Sequence, residues 1–268
     1  TFYPNFANSP FTNQATATGD RADGGGDGNG TANVDTTDDS TSGTDPDPGG
    51  DGNPTPDNTP TPVPVTQTPR IGAAKSAGTI VNNNDGSFTV PFTMTVRNYG
   101  NVDLYDVQVT DVLSAEFGTY QATAATVDAA GEYTVSNISL TDNTPGTDLA
   151  INTGFTGTAP NTNLLVVSVA NAGLALEVNQ SVTISFDLRF YPNPATATVA
   201  GNNLTFQNQV TALGDAPDAG GDGNGTQDNG TNDTSDSGTN PDTDNDRIPN
   251  EAGENDPTDV VITMNPVI

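Results

Sequence analysis

Between Pro69 and Leu213 the apolar residues of this chain recur at every second position. In Phe88-Thr89-Val90-Pro91-Phe92-Thr93-Met94-Thr95-Val96, the set Phe88, Val90, Phe92, Met94 and Val96 falls on one face of an extended strand. Successive strand side chains point to opposite sides, so such a set can line a core. The alternation continues through Leu104–Val112, Glu132–Leu140, Leu164–Val169, Ser181–Phe190 and Leu204–Leu213. β-Branched residues dominate these runs, and Gly, Asn, Asp and Pro gather between them, as in Asn98-Tyr99-Gly100-Asn101. No window holds a helical period with caps. The pattern predicts an all-β, antiparallel two-sheet sandwich over this stretch, long enough to bury its own core.

The chain also repeats itself. Phe2-Tyr3-Pro4-Asn5 recurs at Phe190-Tyr191-Pro192-Asn193, an offset of 188. From there an offset of 195 carries Phe11-Thr12-Asn13-Gln14 onto Phe206-Gln207-Asn208-Gln209 and the glycine-rich Gly25–Thr31 onto Gly220–Thr226. Pro60-Thr61 matches Pro257-Thr258 at 197. Identity at a nearly constant offset implies duplication, and with it a tandem array. Its phase predicts five segments: terminal strands of a preceding repeat at 1–19, an acidic connector at 20–62, the sandwich at 63–214, a second acidic connector at 215–259, and the first strand of a following repeat at 260–268. Pro54, Pro56, Pro60, Pro62 and Pro64 are expected to extend the first connector.

Charge sharpens the picture. The 268 residues carry Lys+Arg 6 against Asp+Glu 34, a formal net charge of -28. Most of the acids fall in 15–60 and 214–259, where only Arg21 and Arg247 offset them. Nucleic acid and anionic membrane surfaces need Lys and Arg to neutralise phosphate, so neither is an expected partner; cations are. No apolar run is long enough to span a bilayer. With no His and no Cys, the commonest general base, disulfides and thiolate metal sites are absent. No catalytic constellation stands out, and the chain is read as a non-enzyme.

Runs of like charge usually stay disordered. Here Asp far outnumbers Glu, the spacing is short, and Gly and Asn fill the gaps, which suits calcium with its roughly 6–8 oxygen ligands. The expected ligands are Asp20, Asp23, Asp27 and Asn29 with their repeats Asp215, Asp218, Asp222 and Asn224, which come first because both copies keep them. Asp45, Asp47, Asp51, Asp236, Asp242, Asp244, Asp246, Glu254 and Asp256 complete the set. Asp242-Thr243-Asp244-Asn245-Asp246 resembles the first half of an EF-hand loop and, more closely, the calcium-wrapped repeats of thrombospondin type 3. It departs from the EF-hand in having Arg247 where that loop has Gly. In the first copy Gly49 replaces the middle Asp, so that site is expected to be weaker.

The turn Asn98-Tyr99-Gly100-Asn101 and the strand Val107-Gln108-Val109-Thr110-Asp111 resemble the immunoglobulin-like repeats of giant bacterial surface proteins, relatives of the B-type repeats of Gram-positive adhesins. The resemblance covers about Pro69 to Leu213. It implies an immunoglobulin-like stalk module outside the cell or on its surface, partnered by neighbouring copies of itself. It further implies that Lys75, the sole lysine, can form an isopeptide bond with Asn208 under catalysis by Asp111. A lone lysine is more simply read as solvated, and the sequence by itself favours that.

Asn-x-Ser/Thr sequons at Asn29, Asn137, Asn179, Asn203, Asn224, Asn229 and Asn232 leave attached glycans open. Three functional expectations compete. The leading one is a tandem extracellular filament or adhesin stalk stiffened by calcium. The second is a pilus subunit joined by strand addition. The third is a calcium-dependent carbohydrate-binding adhesin domain, disfavoured by an aromatic content of 6% and the absence of Trp.

Overall fold

A computed structural model describes residues 11–19, 36–143, 149–166, 175–217 and 230–264. The chain divides into two compact units, Thr1–Thr66 and Gln67–Ile268. In the first, β1 (Phe11–Asn13) pairs antiparallel with β4 (Thr61–Val63), and β2 (Thr16–Gly19) pairs antiparallel with β3 (Thr36–Asp39). The proline-rich end of the expected connector is therefore partly strand: Thr61-Pro62-Val63 faces Asn13-Thr12-Phe11.

The second unit contains β5 (Ile71–Ala77), β6 (Val81–Asn82), β7 (Phe88–Asn98) and β8 (Leu104–Asp111), then a short helix α1 (Leu113–Phe117). After it come β9 (Thr119–Tyr120), β10 (Glu132–Asp142), β11 (Ala175–Leu176) and β12 (Ser181–Tyr191). The last strands are β13 (Thr198–Ala200), β14 (Asn203–Asn208), β15 (Val210–Asp215), β16 (Gly230–Thr234), β17 (Asp236–Ser237) and β18 (Thr258–Thr263). One sheet runs β17-β5-β7-β12-β10-β9, with β6 also on β7; another runs β11-β8-β15-β16; a third runs β13-β14-β18. The fold is all-β, as the alternation predicts.

The period-two reading holds residue by residue. In β12 the buried positions are Val182, Ile184, Phe186, Leu188 and Phe190, with the residues between them partly exposed. In β7, Val90, Phe92, Met94 and Val96 are buried and Phe88 packs against the same core. That core draws side chains from all three sheets, and Phe117, Phe190 and Phe206 meet ring to ring within it. Burying each such side chain stabilises by about 1.5–3 kcal/mol. The Asn98 side chain ties the Asn-Tyr-Gly-Asn turn together: its amide donates to the carbonyls of Val102 and Leu176, both at 2.8 Å, while its oxygen accepts the Gly100 N–H. Gly100 has no room for a Cβ, which would meet the Thr68 carbonyl at 2.6 Å.

Four expectations need correction. The run Leu204–Leu213 is two strands, because the chain changes sheets at Gln209: β14 pairs with β18 and β15 with β8. Of the expected strand Leu164–Val169, residues 167–169 lie outside the described residues; Leu164 and Leu165 are buried, but residues 163 and 165 make only isolated bridges, to Thr110 and Ile151. The sheets do not stop at residue 214, since β15 runs on to Asp215 and pairs with β16, deep in the expected connector. Nor does residue 260 open another unit: β18 lies along β14, and Val260 and Ile262 enter the core. The physical reason is the same for the last two. The apolar alternation of Val260 and Ile262 finds a free edge on β14, and burying it there holds the acidic segment before it against β5.

Candidate functional site

Strand β5 reads Ile71-Gly72-Ala73-Ala74-Lys75, and all five residues are buried. Both its faces are therefore covered. Toward the core, Ile71, Ala73 and Lys75 share one side by parity, and the lysine follows its apolar neighbours inward. Lys75 is fully buried, so the solvated reading is overturned. Its ammonium donates to Asp111 Oδ2 and to Asn208 Oδ1, and Asn208 Nδ2 donates to Asp111 Oδ1 at 3.0 Å. Asp111 ends β8, Asn208 ends β14, and both are buried. The Nζ stands 4.3 Å from the centroid of the Phe92 ring and 5.5 Å from that of Phe186. Burial pushes the Lys75 amine below the usual lysine range, opposed by the charge and hydrogen bond of Asp111. The three strands thus deliver an amine, a carboxamide and a bridging carboxyl to one dry point.

The other face of β5 carries the acidic segment. A Cβ on Gly72 would meet Pro249 at 2.9 Å and Pro241 at 3.0 Å, so the glycine lets the acidic loop lie close on the strand. Asp233 Oδ2 accepts the Ala73 N–H at 2.6 Å, β17 pairs in parallel with Ala74 and Lys75, and Thr258 Oγ1 donates to the Lys75 carbonyl at 2.6 Å. Arg247, in the left-handed region at φ 71°, donates through its guanidinium to Tyr99 O at 2.8 Å and Asn179 Oδ1 at 3.0 Å. That anchoring accounts for an arginine at a position where glycine would be easier.

Within this lobe Asp242, Asp244 and Asp246 bring carboxylate oxygens within 4.8 Å of one another, and so do Asp244, Glu251 and Glu254. Asp244 belongs to both groups. Glu254 Oε1 accepts the N–H groups of Thr243 and Asp244 and the Thr243 hydroxyl, at 2.5, 3.1 and 2.8 Å. Its other oxygen, Oε2, is buried with no hydrogen-bond partner, as is Asp242 Oδ1. Each residue is over nine-tenths buried. An unmatched buried carboxylate oxygen is costly unless a donor or cation meets it. These oxygens are of the hard type that calcium takes, so the residues fit such an ion. Like charges push the Glu251 carboxyl up, Asp246 first. Burial is the main cause raising Asp233, to about 8, and Asp236, whose neighbour Glu254 adds to it.

The sequence expectations divide accordingly. Asp242, Asp244 and Asp246 form one group, and Glu254 joins Asp244 in the other. Asp236 and Asp215 are buried at strand positions beside this lobe, and Asp256 is exposed; none of the three joins either group among the described residues. Asp45, Asp47 and Asp51 form turns in the first unit, where Asp45 Oδ1 accepts the Asp47 N–H at 3.0 Å, and they make no such group either. Asp20, Asp23, Asp27, Asn29, Asp218, Asp222 and Asn224 lie outside the described residues. Glu251 and Asp233 were missed. Glu251 lies outside the Asp-x-Asp-x-Asp run, and Asp233 carried no local signal.

The chain matches no family model, no curated protein and no solved structure.

Proposed function

We propose that the chain is a load-bearing repeat of an extracellular filament or adhesin stalk, built on an immunoglobulin-like sandwich and closed by an amide bond between Lys75 and Asn208. The buried Lys75–Asp111–Asn208 cluster carries this reading. A neutral Lys75 amine attacks Asn208 Cγ; the Nζ–Cγ bond forms, the Cγ–Nδ2 bond breaks, and ammonia leaves. Asp111 touches both nitrogens, so it can take the proton that Nζ loses and hand it to Nδ2. Amine plus carboxamide gives secondary amide plus ammonia, with no oxidant or cofactor. The apolar walls of Phe92 and Phe186 exclude competing water.

Such a bond gives the fold a mechanical logic. Tension entering at β5 would pass through the amide into β14, leaving residues 76–207 unloaded. The chain beyond Asn208 needs a separate fastening, and the acidic lobe holds that segment against β5. Calcium held at the two groups that share Asp244, one with Asp242 and Asp246 and the other with Glu251 and Glu254, would offset part of the lobe's negative charge and offer a partner to the orphan oxygens of Asp242 and Glu254. The two devices together make a stiff repeat, in keeping with the tandem reading.

Intact mass decides the first part. The expected value is one ammonia below that of the sequence, with a branched peptide joining Lys75 to Asn208 after proteolysis. A mass equal to that of the sequence removes the covalent reading.

A further inference from the structure

The two halves of the internal repeat share more than sequence. In the complete unit, β14 and β18 pair Phe206 with Val260 and Asn208 with Thr258. In the first unit, β1 and β4 pair Phe11 with Val63 and Asn13 with Thr61. The sequence offsets of 195 and 197 carry one register onto the other. Likewise β15 and β16 pair Thr211 with Thr234, and β2 and β3 pair Thr16 with Asp39, each at an offset of 195.

The acidic loops correspond as well. Asp242 Oδ2 accepts the Arg247 N–H at 3.2 Å, and Asp47 Oδ2 accepts the Gly52 N–H at 2.8 Å. Asp246 Oδ1 accepts the Ile248 N–H at 2.7 Å, and Asp51 Oδ1 the Asn53 N–H at 2.8 Å. Left-handed Asn245 and Arg247, φ 66° and 71°, have left-handed Gly50 and Gly52, φ 66° and 78°, in their places. Described residues 11–19 and 36–65 thus reproduce the β14–β18 and β15–β16 registers and the turns of the acidic loop.

One difference remains. In the complete unit the half that runs from β14 to β18 is covered by the half that runs from β5 to β12, which buries Phe206, Asn208, Val210, Ala212, Val260 and Ile262. Four of their six counterparts in the first unit are open, Asn13, Ala15, Ala17 and Val63, the last 37% exposed where Val260 is 0%, while Phe11 and Val65 are half-buried. The covering half that this chain carries is already filled by its own β14–β18.

We propose that the first unit is a carboxy-terminal half-sandwich that docks the amino-terminal half of another repeat, and that Asn13 is the acceptor for that repeat's lysine. The occupant is a segment of the kind seen in residues 67–188, presenting equivalents of Lys75 and Asp111. The Asn13 part rests on the crosslink proposed above; the docking part rests on register and exposure alone.

The test joins residues 67–188 to Thr1 of the full chain, which restores the run into Phe2-Tyr3-Pro4-Asn5. Intact mass is expected to fall by two ammonias, with one branched peptide ending at Asn13, and Asn13→Ala is expected to remove only that loss. A single loss, at Asn208, would overturn the role of Asn13 while leaving the Lys75–Asn208 bond standing. No loss at all would sink both covalent readings. Hydrogen exchange then judges docking independently: slowed exchange across residues 11–17 and 61–65, relative to the unextended chain, supports it, and unchanged exchange overturns it.

Discussion

Lys75 and Asn208, separated by 133 residues of chain, meet side chain to side chain in the core, with the Asn208 oxygen accepting from the lysine ammonium. A bond between them closes a loop whose chain-entropy contribution is about 4–5 kcal/mol. Asp111→Asn nearly preserves shape but removes the group that moves the proton. We expect that variant to fold with the full sequence mass and a melting temperature well below that of the parent. Asn208→Asp leaves a carbonyl acceptor and should still link, losing water instead of ammonia. A fully linked Asp111→Asn protein would contradict the role given to Asp111.

The same buried amine predicts how linking depends on pH. Burial, opposed by Asp111, lowers Lys75 from its ordinary value, so more of it is neutral near pH 7 than of an exposed lysine. The rate of linking after refolding should therefore hold up at neutral pH and fall as acid protonates the amine. Mass spectra taken over time at pH 5, 7 and 9 check this. A rate that climbs only as pH approaches the ordinary lysine value would show that burial is not activating the amine.

Calcium is tested at Glu254 and Asp244. Glu254→Gln keeps an oxygen for the N–H groups of Thr243 and Asp244 but gives up the charge. Asp244→Asn weakens both carboxylate groups at once. An ion at 100 times its dissociation constant stabilises by about 2.7 kcal/mol. The parent's melting temperature should rise by several degrees with calcium and return with chelator. Both variants should lose most of that rise; a rise they retain would place the ion elsewhere.

The parts of this fold legible beforehand are those set by local forces. Alternation in β7 and β12 is a property of the sequence, and it named the inward residues. The parity that puts Ile71 and Ala73 inward also points Lys75 inward, a signal that the solvated reading passed over. The break at Gln209 was not, because Leu204, Phe206, Asn208, Val210 and Ala212 keep one parity while the strand changes sheets. Val260 and Ile262 announced a strand but not its partner, since pairing with β14 is decided by which edge is open. The acidic loop showed three of its carboxylates in Asp242-Thr243-Asp244-Asn245-Asp246. Glu254 was also named from its composition, but its hydrogen bonds to Thr243 and Asp244 and the burial of Asp233 against β5 come from tertiary docking of a segment read as a connector between repeats.

Asp233 supplies the last prediction, through stability against pH. Its carboxyl accepts the Ala73 N–H through Oδ2, while Oδ1 is buried with no partner. Burial first, then the charges of Asp236 and Glu254, raise it to about 8. Unfolded, an aspartate titrates at about 3.9. The folded chain therefore holds a proton that the unfolded chain releases, and the stability this gives is full below about pH 4 and lost as pH rises through 8. In chelator, the melting temperature should climb as pH is lowered from 8 toward 5. Asp236, raised in the same direction, adds to the climb, and Lys75 drops out once it is an amide. Asp233→Asn keeps an acceptor for Ala73 and should flatten the profile. Calcium should flatten it too, because an ion on Glu254 cancels one of the charges that raise Asp233. A profile equally steep in Asp233→Asn would assign the proton to another group.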